Sequence, residues 1–480
     1  MNMPNIACSF PDAFLKQMKS LLGEADFSLY LEAMNMPAKK GLRMNPLKRP
    51  SVLGGHGEAE RLWLAAGLAD RTGTDLKRSE AADRLRPIPW ASGYTFEDPL
   101  RPGQSPLHEA GVYYIQEPSA MSAATLLGAL PGERVLDLCA APGGKSTQIA
   151  GGMQGQGVLV SNEPNRSRAK ILSSNMERLG VRNSVVVSET PERLRERFPA
   201  FFDRILVDAP CSGEGMFRKD PETRTQWHEN SPAQCAQRQQ NILRAAAGML
   251  RPGGTLVYST CTFNRTENEE VMERFLREHP AFSLVPFQLP GLPRTDTGMQ
   301  HLFPHEMDGE GHFLALLHLG EDAPTEKDHH RSQKGTRVRQ KSEVPALPEV
   351  FRPDCFAPER LHSDGRILWM LPDRITPEMF AGLCCMRTGL ALCHLQGRLF
   401  EPDHAAGMAL SAGETTSAVE LTWENMERYQ AGETLPVEAK KGYVLLQYEG
   451  ISLGWGKYSD GMIKNHYPKG LRRRTGSARE

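Results

Sequence analysis

The chain of 480 residues contains no apolar run near the roughly 20 residues that a membrane-spanning helix needs. Its first residues, MNMPNIACSFPDAFLKQM, lack the basic start and unbroken apolar core of a secretion signal. A cytoplasmic protein with no membrane partner is therefore expected, and a monomer. Neither sign of charge is in excess, with 57 Lys and Arg against 58 Asp and Glu. That balance excludes a chain that coats nucleic acid by bulk charge, so any such contact must come from local patches. The nine cysteines form no CxxC pair, which excludes a paired zinc site and gives no disulfide framework. No metal is expected. The densest grouping, Cys384, Cys385, Cys393 and His394, reads as small buried residues beside a satisfied histidine.

Two basic patches do exist. Arg331, Lys334, Arg337, Arg339 and Lys341 run without an acid among them and read as a solvated linker. The second, KNHYPKGLRRR from Lys464 to Arg474, sets Lys464, Lys469 and Arg472 to Arg474 around Tyr467 and reads as a patch able to neutralise phosphates.

Length implies roughly two to four domains. The first hundred residues carry helical apolar spacing in PDAFLKQMKSLL and FSLYLEAM. Prolines 87, 89, 99, 102 and 106 then break the pattern and mark a boundary near residue 105. Between 106 and 320, short apolar runs alternate with helical ones. The expected strands are Arg134 to Cys139, Gly157 to Asn162, Ser184 to Ser188, Arg204 to Asp208 and Thr255 to Thr260. Ala169, Leu172, Met176 and Leu179 line one helix face, and Leu243, Ala246 and Leu250 another. RPGG at 251–254 reads as a stop before the fifth strand, and FSLVPF and HFLALLHL as runs that close the sheet edge. Strands alternating with helices predict an α/β domain with a mainly parallel, doubly wound sheet. Residues 321–345 are polar and read as a linker. Residues 346–480 read as a separate region that ends in a small β-rich module.

The segment VLDLCAAPGGKST combines a strand, a small-residue turn and a helix start. Ligands of open α/β sheets bind at the carboxyl ends of the strands. Gly143 and Gly144 let backbone approach a ligand, and Glu163, ending the second strand, can accept from ribose hydroxyls. These features describe a nucleoside cofactor site. The competing reading is a nucleotide triphosphatase, whose phosphate loop requires GxxxxGK[ST]. The first glycine would have to stand at 139, where the chain has Cys139.

RILVDAPCSGEG places Asp208, Pro210 and Cys211 past the fourth strand, and STCT places Cys261 past the fifth. A free cysteine is usually a small buried hydrophobe. Two of them at strand ends facing one crevice make that reading less attractive and leave a catalytic role equally open. Arg218 and Lys219 come next as candidates for holding backbone phosphates, or as a solvated loop.

CAAPGGK, DAPCSGEG, STCT with its trailing ENEE, and YYIQEPSAM together resemble the Sun-related RNA cytosine-5 methyltransferases. GWGKYSDGMIKNHYPKGLRR resembles the PUA-like tail of the bacterial RsmF-type branch, which acts on 16S ribosomal RNA. The resemblance implies a class I methyltransferase (Rossmann-like) sheet at 106–320, an N-terminal α+β extension serving RNA binding at 1–105, and a C-terminal PUA-like RNA-binding module. It implies methyl transfer from S-adenosylmethionine to carbon 5 of a cytosine in ribosomal RNA, free or in the small subunit. By resemblance Cys261 is the nucleophile that adds to carbon 6, Cys211 assists proton removal and release, and Asp208 contacts the base near its ring nitrogen. Lys145 either lowers a thiol pKa or orients Asp208. Cys139, Ala140, Ala141, Pro142, Gly143, Gly144 and Lys145 surround the methionine portion of the cofactor, with Glu163 on the ribose and Asp208 at the crevice. The family's adenine-contacting Asp is absent, since Ser188, Glu189 and Thr190 stand there. A DNA cytosine methyltransferase would carry its nucleophile in the fourth-strand ProCys, so Cys261 favours RNA. The intact cysteine pair argues against an RNA-binding factor without activity.

Overall fold

Runs such as Val185–Val187 and Ile205–Val207 are too short for helices, and β-branched residues pack well on a pleated surface. The structure, a computed structural model, describes residues 10–51, 53, 57–69, 76–324, 344–396 and 399–473. The basic run from Arg331 to Lys341 lies outside the described residues, as does Arg474.

Four strands, β1 (Lys40–Met44), β2 (Leu85–Pro87), β3 (Gly93–Phe96) and β4 (Tyr113–Ile115), form an N-terminal sheet in the order β2-β3-β1-β4. It is preceded by the helical span Asp12–Asn35, interrupted at Gly23, whose φ is +76°. Helical spacing gave no sign of this sheet, and β4 carries it ten residues past the boundary read at 105.

The central sheet contains β5 (Arg134–Asp137), β6 (Val158–Asn162), β7 (Ser184–Val187), β8 (Phe202–Asp208), β9 (Leu250–Thr260), β10 (Phe282–Leu284), β11 (Met299–Leu302) and β12 (His312–Leu319). Strands β9-β8-β5-β6-β7 are parallel neighbours, and β12 adds antiparallel to β9. The RPGG segment, read as a stop, lies inside β9, with Gly253 at φ +73° and a register shift against β8 nearby. Alternation sends Val135, Leu159, Val186 and Leu206 to one core, under helices Met121–Leu127, Gly144–Met153 and Arg166–Arg178. Leu136, Val158, Val160, Val185, Val187 and Ile205 face the opposite core, under helices Pro191–Arg197, Ser231–Met249 and Glu269–Glu278. Each such side chain, fully buried, contributes about 1.5–3 kcal/mol relative to exposure. The sheet is therefore covered on both faces, and only its strand ends are left to hold a ligand.

The C-terminal region is not separate. It contributes β13 (Leu361–Ser363), β14 (Ile367–Met370), β15 (Cys385–Thr388), β16 (Leu390–Gln396) and β17 (Leu399–Pro402), of which β15 pairs with β7 and extends the central sheet. A last sheet, β18 (Ala418–Glu420), β19 (Gly442–Tyr448), β20 (Ile451–Ser459) and β21 (Met462–Asn465), shares one apolar core with the N-terminal sheet. Tyr467, read as part of a basic RNA patch, is only 3% exposed and stacks edge-on against Tyr429. Arg473 donates to the Gln104 carbonyl and Arg472 to that of Tyr467, so of the described cations there only Lys464 and Lys469 are exposed. Among the described residues no helix is long and apolar enough to cross a membrane.

Arg218 is a second correction. It is buried rather than facing RNA: its Nε and Nη2 donate to the two Glu310 oxygens at 2.7 and 2.8 Å, and Nη1 to the Ala33 carbonyl at 2.7 Å. Lys219 is exposed. The pair pins the end of the first helix to the loop after Cys211. Removing one partner strands a buried charge, so Arg218→Met should cost about 3–5 kcal/mol, and Arg218→Met with Glu310→Leu clearly less. Urea unfolding of both variants measures this; a single variant as stable as the wild type would show that the pair holds nothing.

Candidate active site

The turn Cys139–Lys145 leaves the end of β5 and enters the helix Gly144–Met153. Gly143 has φ +115°, and a Cβ there would sit 3.1 Å from Leu172 Cδ1, so the turn needs glycine. The turn is held from outside. Ala140 N donates to the Asn162 carbonyl, Arg168 Nη2 to that of Ala141 and Asn175 Nδ2 to that of Pro142. From the N-terminal sheet, buried Arg43 donates to the Gly144 carbonyl at 3.0 Å, to Thr147 Oγ1 at 2.8 Å and to Gln116 Oε1 at 3.1 Å. Burial lowers its pKa to about 9. Burial also pushes the Cys139 thiol well up, which keeps it a neutral wall of the turn.

Glu163 is buried; Asn165 N donates to its Oε1 at 2.9 Å and Arg168 Nη1 pairs with its Oε2 at 3.2 Å. Glu189 accepts from Cys384 N at 2.6 Å, and Ser188 Oγ donates to the Pro164 carbonyl. The C-terminal region thus borders the end of β7.

The other predicted residues meet at the ends of β8 and β9. Lys145 Nζ donates to Asp208 Oδ2 at 2.8 Å, and Ser259 Oγ to Asp208 Oδ1 at 2.8 Å. Burial alone would raise the Asp208 carboxyl, but Lys145 and the nearby His312 hold it well below the usual carboxylate range. Burial works against the Lys145 ammonium, yet Asp208 raises its pKa, with a further push from the Cys261 thiol. Both charges therefore persist. Beside them Cys211 Sγ and Cys261 Sγ are 3.2 Å apart. The hydrogen bond to Cys261, with burial, pushes the Cys211 thiol well up.

Two cross-bonded loops set that distance. Gly215 N donates to the Cys261 carbonyl at 2.9 Å, and Ser212 Oγ lies 2.9 Å from Thr262 Oγ1. Glu267, fully buried, accepts from Ser212 N, Asn264 Nδ2 and Gln239 Nε2 at 3.0, 2.7 and 2.9 Å. Glu214 accepts from the backbone N–H groups of Phe263 and Asn264. The sequence reading passed over Glu214, Glu267, Arg43 and His312, and the ENEE run was the one signal for Glu267.

This site on this sheet belongs to an S-adenosylmethionine-dependent methyltransferase. A family model described as 16S rRNA methyltransferase RsmB/F matches residues 124–318, and one described as the methyltransferase RsmF PUA domain matches 416–473. A protein of Erwinia tasmaniensis named ribosomal RNA small subunit methyltransferase F is 33% identical over 96% of both chains, and one of Vibrio campbellii 31% over 98% of both. A methyltransferase homologue from Pyrococcus horikoshii of known structure is 27% identical, with a TM-score of 0.54 over 65% of this chain and 97% of its own. The chain belongs to the ribosomal RNA small subunit methyltransferase F family.

Asp137, at the end of β5, was also passed over. It is fully buried and accepts from Ser146 Oγ at 2.6 Å, while its Oδ1 has no partner. Burial, with repulsion from Asp208, raises its carboxyl to about 7. The unfolded chain ionises it near pH 4, so folding takes up a proton and stability falls as pH rises from about 4 to about 7. Asp137→Asn mimics the protonated form and should abolish that fall, leaving the variant more stable than the wild type at pH 8 by up to about 4 kcal/mol. Urea unfolding at pH 5 and pH 8 checks it; an unchanged pH dependence would assign the fall to another group.

Proposed function

We propose that the chain transfers a methyl group from S-adenosylmethionine to carbon 5 of a cytosine in 16S ribosomal RNA, through a covalent bond between Cys261 and carbon 6. The observation that carries the reading is the thiol pair beside an ion pair: Cys211 and Cys261 at 3.2 Å, next to Lys145 and Asp208 at 2.8 Å. The names of the relatives supply the substrate class, ribosomal RNA of the small subunit.

Carbon 5 of cytosine is too electron-poor to attack a methyl sulfonium unaided. Addition of a thiolate at carbon 6 makes it nucleophilic, dividing one difficult step into easier ones. A cation nearby favours a thiolate, and the Lys145 ammonium stands close enough to the thiol pair for Cys261 to raise its pKa. Burial and the hydrogen bond to Cys261 push the Cys211 thiol up, which disfavours Cys211 as the first nucleophile. Once the Cys261 sulfur is bonded to carbon, its hydrogen bond and its charge no longer hold the Cys211 proton. Cys211 then releases its proton to solvent, and its thiolate takes the carbon 5 proton; the electrons of that C–H bond re-form the double bond, and the Cys261 sulfur leaves with its bonding pair as thiolate. The base must be out of its stack for this chemistry. Cys139 to Lys145 hold the methionine portion of the cofactor and Glu163 its ribose. Glu163 would exchange Arg168 Nη1 for the hydroxyls, while Nη2 of that half-exposed side chain keeps the Ala141 carbonyl.

In single-turnover assays with unmodified 16S rRNA, Cys261→Ala should give no methylated product. Cys211→Ala should still add and transfer the methyl group but release slowly, leaving a protein–RNA adduct on a denaturing gel that the double variant lacks. Normal turnover by Cys211→Ala with no adduct band would make Cys211 a packing residue.

A further inference from the structure

His312 opens β12, with its neighbour Phe313 paired to Thr260, so it stands at the carboxyl edge next to Cys261. Its side chain is 2% exposed and neither ring nitrogen has a hydrogen-bond partner. Nε2 points at the catalytic carboxylate, 3.5 Å from Asp208 Oδ1. An imidazole taken out of water without partners is unfavourable, and here the nearest polar group is the one that meets the base.

Asp208 poses a difficulty by itself. Ser259 and Lys145 keep it a carboxylate, which only accepts hydrogen bonds. The ring nitrogen of neutral cytosine beside the amino-bearing carbon is also an acceptor. Two acceptors repel unless a proton lies between them, and addition of sulfur at carbon 6 makes that nitrogen basic. Lys145 does not release its proton readily, because Asp208 holds it.

We propose that His312 is the proton store of this site, a positioning residue that acts through Asp208. The inference rests on the covalent reading above. As the Cys261 thiolate adds to carbon 6, the imidazolium gives its proton to Asp208 Oδ1, and Asp208 passes one to the ring nitrogen. Thiolate and imidazolium are consumed together, so the adduct and the imidazole are both neutral. When sulfur leaves, the proton returns by the same route. Among the described residues the charged group that meets His312 is Asp208 from β8, itself paired with Lys145 from the helix Gly144–Met153, and Cys261 follows the strand paired with β12. Glu310, earlier on its own segment, is taken by Arg218, and His301 of β11 by Glu269.

The test measures adduct formation by Cys211→Ala enzyme on unmodified 16S rRNA from pH 6 to 9.5. The rate should rise with pH and then fall along an alkaline limb that depends on His312. His312→Asn in that background keeps an N–H toward Asp208 but has no proton that it can give up. Its rate at pH 7 should drop about 100-fold and the alkaline limb should vanish. His312→Gln should behave alike, and serves if the Asn variant melts well below its parent. A rate within twofold of the parent, a slower rate with the alkaline limb intact, or a parent profile without that limb would overturn the inference. No adduct at any pH with His312 intact would overturn the covalent reading itself, and the inference with it.

Discussion

The site depends on an ammonium and a carboxylate kept ionised out of bulk water. Lys145 and Asp208 lie 2.8 Å apart with side chains 12% and 27% exposed, and each favours the charged form of the other. Breaking one half of such a pair leaves an uncompensated charge, so the pair fixes the relation between the cofactor turn and the end of β8. The neighbouring polar side chains and thiols are arranged around it. Cys261 adds to what raises the pKa of the ammonium, while Ser259 and His312 face the carboxylate.

Keeping that geometry requires more than the central sheet. Arg43 reaches from the N-terminal sheet to the helix that carries Lys145. Arg218 and Glu310 bind the first helix to the loop after Cys211, and Gln17 donates to Glu214 in the same loop. From the other side, β15 extends the sheet beyond β7 and sets Cys384 N against Glu189. The N-terminal and C-terminal sheets then share one apolar core, with Tyr94 and Tyr113 packed among Tyr429, Leu446 and Ile463. Three regions of the chain thus converge on one crevice.

Much of this was legible in the sequence because it is local. Runs of β-branched residues ending in Asp208 or Thr260 announce strands, and residues just past a strand end lie at the ligand edge. CAAPGGK, DAPC and STCT could therefore be assigned to that edge from the sequence alone. The long-range contacts escaped. Arg218 looked like a phosphate-binding cation because its partner Glu310 is far away in sequence, and Tyr467 looked like an RNA-facing ring because its packing partners are distant too. The N-terminal strands are three to five residues long and carry no clear alternation, so proline and helix spacing dominated the reading. The boundary read at 105 and the separation of the C-terminal region failed for a related reason: β4 and β15 find their sheets by pairing, which composition does not reveal.

The central claim is that Cys261 bonds to carbon 6 of the target cytosine. Fluorine at carbon 5 cannot leave as a proton does, so the adduct formed after methyl transfer should persist. Enzyme incubated with S-adenosylmethionine and 16S rRNA carrying 5-fluorocytidine should therefore yield, after digestion, one cross-linked peptide. The account predicts a methylated fluorinated nucleotide on Cys261. A nucleotide on Cys211, or methylation of ordinary RNA with no cross-link on the fluorinated one, would contradict it.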